Sequence, residues 1–516
     1  MTAIPIGLAV PVGLALLVGG CGARTLLEVD PPASDAGVDA ALRDGGGRDA
    51  ARDVSMPFDV SRPDVVGDDV PPIGDAGLAC QRDRDCLGLM GVCRLDESIP
   101  PDDLAPAPLV CGAPTRGAER CQAASDCERG LCVVAGACVA ACVNDADCDE
   151  GHWCRDLWVR TAPDALQSLR GCVSRFDPHP DVELESLGTL SLRGPVADVA
   201  IPAVDSDRVL YLYESTRDVQ LAAYTLVDGD GRVLFDVDTL VPGGTPPINP
   251  VTPFANPLAV LLPNAPGTIS RSGWSMSVDI GRASDDLAVH RMQRSRTGRV
   301  LDVDVFYVGG GGLVPRGDTG PPVIARALGE LVEAFGLRLG EVRQHDVVGG
   351  LRARYGILDS DPDGTLRELD EVFALSAGVG RASLSVFLLR EMEGALGITG
   401  GIPGPWGANG RGSSGVALSV DLILEPTIPE LMTTVGLVLT HEAGHYFGLY
   451  HTTEFDGTVI EPLPGTPVCP DSDGDGFVLP EECVGLGADN IMFWAGSGEA
   501  LHAQQRTLVR SSMLLR

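Results

Sequence analysis

Twelve of the 15 cysteines lie between Cys80 and Cys172, and this clustering limits the fold more than any other feature of the chain. They form three quartets, each with five residues between its first two cysteines: Cys80, Cys86, Cys93, Cys111; Cys121, Cys127, Cys132, Cys138; and Cys142, Cys148, Cys154, Cys172. Such a repeat is typical of small modules with too little apolar core, each held by about two disulfides. The gaps are wider than those of a zinc ribbon, so we expect disulfides. Three pairings remain open in each quartet, and the modules could serve as spacers or bind a surface partner.

The N-terminus has the pattern of an exported protein. Ile4 to Val18 is an apolar stretch of signal-peptide length, too short for a good membrane-spanning helix. It runs into Gly19-Gly20-Cys21, which resembles a bacterial lipobox, so we expect a lipoprotein signal peptide at 1–21 with lipidation at Cys21. No Lys or Arg precedes the apolar stretch, and the alternative is a plain cleaved signal that leaves Cys21 free. Gly22 in place of Asp favours the outer membrane or the cell surface, with attachment through lipid only.

Residues 22–78 are predicted to be a disordered acidic linker. Asp, Ala, Gly and Pro dominate this segment and aromatic residues are almost absent, so it cannot bury enough apolar surface to fold. The whole chain has a formal net charge of -34. This charge argues against nucleic acid as a partner, because phosphate binding needs clustered Lys and Arg.

The chain is predicted to be multidomain, because 516 residues are too many for one core. After disulfide-rich modules at 79–175, residues 180–297 show short alternating apolar runs without helical periodicity, which predict an all-β sandwich. The runs are Val209 to Tyr213, Val219 to Leu226, Leu258 to Leu262 and Trp274 to Ile280, with a hairpin turn at Asp228 to Gly231.

Residues 298–516 are predicted to be a mixed α/β domain. Ile324, Leu328, Leu331 and Phe335 share one helix face, and Gly336 fits the end of that helix. Strands are predicted at Leu301 to Val308, Glu341 to Val348, Ser383 to Leu389 and, as an edge strand after the loop 397–415, Val416 to Val420.

The segment His441-Glu-Ala-Gly-His445-Tyr-Phe-Gly448-Leu-Tyr-His451 carries the strongest chemical signal. A helix is predicted there from the Thr427 and Glu430 capping box, the apolar run Val435 to Leu439, and Gly448 as its C-terminal glycine. His441 and His445 would share one helix face. Gly448 would turn the chain so that His451 becomes the third zinc ligand, leaving an open position for water. Glu442 would then be the general base.

This pattern, HExxHxxGxxH, resembles the signature of metzincin zinc metallopeptidases, and Asn490-Ile491-Met492 resembles the methionine turn of that family. The resemblance implies that Met492 lies beneath the three imidazoles, and that the loop 397–415 and the following strand form the upper rim of a substrate cleft. His445 to Thr452 and Ala503-Gln504-Gln505 look most like pappalysins. Those proteins place Tyr two residues after the methionine, where this chain has Trp494, which cannot supply a phenolic oxygen.

A second metal pattern follows the first. Asp471, Asp473 and Asp475, with Glu482 at the twelfth position, match an EF-hand calcium loop, and an acidic surface loop is the alternative. Cys469 and Cys483 flank the loop and are expected to form a disulfide.

Two functional hypotheses follow. The first is an extracytoplasmic zinc endopeptidase, with calcium as a second metal, acting on protein or peptide substrates. The second is a non-catalytic surface lipoprotein that uses a peptidase-like scaffold for binding. The intact Glu442 favours the first hypothesis.

Overall fold

The computed structural model describes Gln81, the strands at Val92–Leu95 and Leu109–Gly112, and most of residues 121–516. Its longest gaps within 121–516 are 202–207, 237–255, 263–272, 310–319, 359–366 and 421–430. The predicted signal peptide, Cys21, the acidic linker, Thr427 and Glu430 lie outside the described residues. Among the described residues, no helix has both the length and the apolar character needed to cross a bilayer.

The second and third cysteine quartets are two copies of one disulfide-bonded module. The first cysteine pairs with the third and the second with the fourth in both copies: Cys121–Cys132, Cys127–Cys138, Cys142–Cys154 and Cys148–Cys172. This resolves the pairing that the spacing leaves open in these two quartets, whereas Cys80 and Cys86 of the first quartet lie outside the described residues. Closing loops of this size stabilises a small module by about 3 kcal/mol per disulfide.

The Asp before the second cysteine has the same local role in both copies. Asp126 accepts hydrogen bonds from the backbone N–H groups of Gln122 and Ala123, and Asp147 accepts them from Val143 and Asn144. Each carboxylate therefore fixes the turn that follows the first cysteine. The strands of the cysteine-rich region are β1 (Val92–Leu95), β2 (Leu109–Gly112), β3 (Leu131–Cys132), β4 (Cys138–Val139), β5 (His152–Ala162) and β6 (Ala165–Ser174).

Eight antiparallel strands follow and form two four-stranded sheets, in the orders β11-β10-β13-β8 and β12-β9-β14-β7. Side chains of both sheets share one buried core, which agrees with the predicted β-sandwich. The strands are β7 (Glu183–Arg193), β8 (Val196–Ile201), β9 (Val209–Ser215), β10 (Ala222–Asp228), β11 (Val233–Asp236), β12 (Leu258–Leu262), β13 (Trp274–Asp279) and β14 (Ser284–Gln293). The predicted hairpin is confirmed by the antiparallel pairing of β10 with β11.

The C-terminal region is built on a five-stranded sheet in the order β16-β15-β18-β21-β20. Its strands and the short ones beside it are β15 (Val300–Tyr307), β16 (Arg338–Asp346), β17 (Ile357–Leu358), β18 (Leu384–Leu389), β19 (Glu391–Met392), β20 (Gly397–Thr399) and β21 (Val416–Ser419). The helices are α1 (Gly320–Phe335), α2 (Gly350–Tyr355), α3 (Arg367–Phe373), α4 (Leu431–Tyr446) and α5 (Ala503–Arg510). The strands of the sheet run parallel except β20, which pairs antiparallel with β21.

The prediction that Val416 to Val420 forms the edge strand is wrong. Strand β21 lies between β18 and β20, and the edge is β20, whose residues Gly397–Thr399 lie in the predicted loop. A three-residue strand that starts with glycine has too few side chains to show a period-2 pattern. Its pairing comes from tertiary structure rather than from local preference.

Successive side chains of β15 point to opposite faces of the sheet, and both faces are buried. Leu301, Val303 and Val305 join the core formed with α1 and α4, which contains the predicted helix face from Ile324 to Phe335. Phe306 belongs to the opposite core, which also contains Val133, Leu157 and Val173 of the cysteine-rich modules. The modules therefore cover one face of the sheet, while α4 lies on the other.

A buried ion cluster joins the three regions. Arg411, in the segment between β20 and β21, forms an ion pair with Glu214 of the sandwich, and Glu214 also pairs with Arg175 at 3.2 Å. The guanidinium of Arg411 lies 3.2 Å from the ring centre of Trp153 in the cysteine-rich region. This segment also holds the end of α4, because Gly404 N and Trp406 Nε1 donate to Tyr446 O at 3.0 and 2.9 Å.

Candidate metal centre

Helix α4 places two histidines and one glutamate in the core beneath the sheet edge. His441 and His445 lie one turn apart, and neither residue nor Glu442 has any exposed surface. After the helix, Gly448 adopts a φ of 99°, a conformation that side chains disfavour. The chain then turns, with Leu449 N donating to Gly444 O at 2.9 Å. His451 thereby returns to the two helical histidines.

The three imidazoles converge through their Nε2 atoms. The distances are 3.0 Å from His441 to His445, 3.0 Å from His441 to His451, and 3.1 Å from His445 to His451. Each Nδ1 faces an acceptor instead. His441 faces Ile491 O at 2.7 Å, His445 faces Leu449 O at 2.7 Å, and His451 faces the Glu454 carboxylate at 2.6 Å. Because every Nδ1 has an acceptor, it holds the proton, and three Nε2 lone pairs point at one another.

Burial keeps the helical imidazoles neutral. It lowers the pKa of His441 to about 3 and holds the pKa of His445 well below its usual range. Three Nε2 lone pairs packed this closely repel one another unless a cation lies between them. Tetrahedral coordination at 2.0–2.1 Å needs about 3.3–3.4 Å between donor atoms, so the observed separations fit zinc within a few tenths of an ångström. Calcium and magnesium prefer oxygen donors and do not suit this set.

Met492 packs directly against α4. A Cβ on Gly444 would overlap the Met492 sulfur, so glycine at this helical position allows the close approach. The turn is fixed by Asn490, whose Oδ1 accepts from Met492 N at 2.9 Å and whose Nδ2 donates to Gln505 Oε1 at 2.9 Å. Thr452 N donates to Met492 O at 2.8 Å, which ties the turn to the segment that carries His451.

Glu442 lies against the edge strand. A Cβ on Gly397 of β20 would be 2.6 Å from Glu442 Cγ, so only glycine leaves room for this side chain. Glu442 has no exposed surface. The carboxylate is therefore enclosed by the surrounding chain and is reached only after that chain moves.

The indole of Trp494 is hydrogen-bonded to the loop that carries the acidic residues. Its Nε1 donates to Val478 O at 2.7 Å, and its ring lies 4.9 Å from that of Phe455. It packs with Val478, Phe493 and the Cys469–Cys483 disulfide in a small core of its own. The tryptophan thus stabilises the loop beside the metal centre.

The acidic loop is only partly assembled as an EF-hand. Carboxylate oxygens of Asp471, Asp473 and Asp475 lie within 4.8 Å of one another, but Glu482 is not in that group. Glu482 accepts instead from Ser472 Oγ at 2.7 Å and from Leu479 N at 2.9 Å. Both Asp471 oxygens accept backbone N–H groups, from Gly474 and Gly476, and these bonds lower the pKa of Asp471.

Three residues near the centre were missed by sequence reasoning. Glu454 follows His451 by three residues, which is a visible signal for a carboxylate partner. Gly397 has no sequence signal, because its contact with Glu442 is tertiary. Glu461 is fully buried between Tyr450 N and Leu463 N, and its loop position gives no sign of burial.

Comparison with known proteins gives weak likenesses. No protein-family model and no curated protein matches the chain. An archaemetzincin from Methanopyrus kandleri superposes with a TM-score of 0.24 and 16% identity, over 42% of this chain and 96% of that one. Metalloproteinase-II from Bacteroides fragilis gives a TM-score of 0.18 and 12% identity, over 34% of this chain and 58% of that one. Similarity at this level defines neither the fold nor the function of the chain.

Proposed function

We propose that this chain is an extracytoplasmic zinc-dependent endopeptidase. The observation that carries the proposal is the convergence of three buried imidazoles through Nε2 atoms 3.0–3.1 Å apart. His441, His445 and His451 would hold the zinc. Three protein donors leave a coordination position open, the arrangement of catalytic rather than structural zinc sites.

The residues of the chain divide the reaction between them. Zinc supplies Lewis-acid chemistry when bound, making water nucleophilic at neutral pH and polarising a carbonyl group. Glu442 takes the proton of the attacking water and delivers it to the amine that leaves. Glu454, through the Nδ1 of His451, fixes the tautomer and orientation of the third ligand. Met492 and Gly444 set the packing beneath the helix.

The proposal extends to location and organisation. The described disulfides suit an oxidising compartment. We propose that residues 1–21 direct export and that Cys21 carries the lipid, with the linker 22–78 joining the anchor to the cysteine-rich modules at 79–175. The sandwich at 180–297 and the peptidase region at 298–516 follow.

We also propose calcium binding by Asp471, Asp473 and Asp475. The proximity of their oxygens supports it. Glu482 would complete the site only by exchanging its bonds to Ser472 and Leu479 for the cation.

Cleavage of casein and of a peptide library by the purified protein tests the enzymatic proposal. We expect hydrolysis that the chelator 1,10-phenanthroline abolishes and zinc restores. Glu442→Ala should keep the metal and lower kcat by about 10²- to 10⁴-fold, the usual contribution of a general base. A protein that binds zinc, adopts an open state and still cleaves nothing would support the binding-lipoprotein alternative.

A further inference from the structure

The exposed apolar side chains of the described residues are concentrated beside the metal centre. Ten large hydrophobic side chains are exposed in the described part of the chain, and six of them lie within 455–486. Scattered exposed apolar residues are normal, whereas a contiguous exposed apolar patch marks an interaction site. We call these six residues the apolar surface: Phe455, Val468, Phe477, Leu479, Val484 and Leu486.

A small rigid core supports the apolar surface. The Phe455 and Phe477 rings lie 4.8 Å apart, and Val478 N donates to Phe455 O at 2.8 Å. Val468 directly precedes Cys469, and Val484 directly follows Cys483. The disulfide between these two cysteines packs in the same core as Val478. The exposed side chains are therefore carried by a segment that the disulfide and the small core hold in place. A partner that binds there loses little conformational entropy of this segment.

The apolar surface borders the metal centre. Phe455 directly follows Glu454, the partner of His451, and its ring lies 4.9 Å from Trp494. Trp494 is two residues beyond Met492, and Met492 O accepts from Thr452 N. A polypeptide lying on Phe455 and Phe477 would therefore be beside the Glu454–His451 pair.

The charge around the apolar surface selects its partner. The segment 451–505 contains no Lys or Arg. Nine exposed or partly exposed carboxylates lie in it: Glu454, Asp456, Asp471, Asp473, Asp475, Glu481, Glu482, Asp489 and Glu499. One divalent cation on the three aspartates would still leave the segment negative. Anionic lipid and nucleic acid are repelled by such a surface, whereas a polypeptide with Lys or Arg beside its apolar side chains is attracted.

We propose that the apolar surface recognises polypeptide substrates whose aromatic or aliphatic side chains are flanked by Lys or Arg, and holds them at the metal centre. The inference rests on the proposed peptidase function. It concerns a surface outside the imidazole cluster, so binding can be measured separately from cleavage.

The test measures peptide binding to the Glu442→Ala protein by fluorescence anisotropy. The probes are two labelled peptides with the same Leu and Phe pattern, one with Lys and one with Glu at the polar positions. The Lys peptide should bind at least about tenfold more tightly than the Glu peptide. Replacing Phe455 and Phe477 together by Ser should weaken it by at least about tenfold, because two aromatic contacts are lost. The control Val233→Ser changes an exposed side chain on the sandwich and should have no effect.

In the cleaving protein, the Phe455→Ser, Phe477→Ser double variant should raise KM for the Lys peptide and leave kcat unchanged. If that variant does not fold, Val484→Ser serves instead, because Val484 is 79% exposed and contributes little to the core. Equal affinity for both peptides, or equal loss in the Val233 control, would overturn the proposal. Binding to anionic vesicles that needs Phe455 and Phe477, without peptide binding, would also overturn it. Peptide binding by a protein that holds no zinc and cleaves nothing would support the proposed recognition surface and contradict the proposed peptidase function.

Discussion

The histidine cluster and the aspartate cluster lie on neighbouring segments, yet they are built by opposite means. The three histidines are held by a helix, a glycine turn and the methionine turn, and every Nδ1 is fixed by an acceptor. The three aspartates lie on one exposed loop, and Asp471 already accepts bonds from its own backbone. Donors fixed by distant elements keep their geometry before a cation arrives, whereas donors on one loop must exchange bonds to bind it.

Removing one of the three buried histidines should cause the largest loss of metal affinity. His445→Ala leaves two nitrogen donors in a cavity shaped for three, so zinc affinity should fall by more than the roughly 10- to 100-fold that loss of an outer partner costs. Asp473→Asn is the matched change on the exposed loop and should leave zinc affinity unaltered. Competition with a chelator measures both. Equal zinc affinity in wild-type and His445→Ala proteins would contradict the assigned ligand.

The buried carboxyl of Glu461, in the chain between the histidines and the aspartates, should make stability depend on pH in a way that the exposed carboxyls do not. Burial raises the pKa of Glu461 to about 8, so the folded protein holds a proton that the unfolded chain has lost above its ordinary pKa of 4.5. Stability from this group is therefore complete below pH 4.5 and is lost as pH rises towards 8. At about 1.4 kcal/mol per pH unit, the loss is roughly 3–5 kcal/mol.

Glu461→Gln should flatten that pH dependence. Urea unfolding at pH 5 and pH 8 would show a smaller difference in the free energy of unfolding than in the wild type. The exposed Glu481→Gln serves as the control and should keep the wild-type slope. An unchanged slope in Glu461→Gln would show that the buried carboxyl is already ionised at pH 5.

Loss of the Glu454 carboxylate should have an intermediate effect on the metal. Glu454→Ala removes the acceptor of His451 Nδ1, and we expect zinc to bind about 10- to 100-fold more weakly. Glu454→Gln keeps an oxygen acceptor and should recover part of the loss. Wild-type zinc affinity in both variants would mean that the 2.6 Å contact does not position His451.

Calcium binding should have the smallest effect of all, a modest rise in the melting temperature. Binding to the folded loop alone raises the melting temperature through mass action, by about 2–4 °C per kcal/mol for a domain of roughly 150–250 residues. Millimolar calcium should produce that rise in the wild type and not in Asp473→Asn. Removal of calcium with EGTA should leave zinc bound. A loop that gives no calcium-dependent rise is the acidic surface loop of the alternative.

How far the sequence predicts the structure depends on whether a pattern is local. The α1 face from Ile324 to Phe335 and the strand at Leu258–Leu262 were predicted because periodicity is local. The spacing of His441, His445, Gly448 and His451 predicts convergence because a helix and one turn determine it. Strand β20 was not predicted, because its pairing partner and its contact with Glu442 come from residues that are distant in the sequence. The packing of the cysteine-rich modules on the sheet is tertiary for the same reason.

The most direct test of the central claim is the metal content of the purified protein, measured by mass spectrometry beside its histidine variants. The account predicts about one tightly held zinc per chain in the wild type and in Glu442→Ala, and none in His441→Ala or His445→Ala. A folded wild type that holds no zinc, or histidine variants that retain it, would contradict the assignment of these imidazoles as a zinc centre.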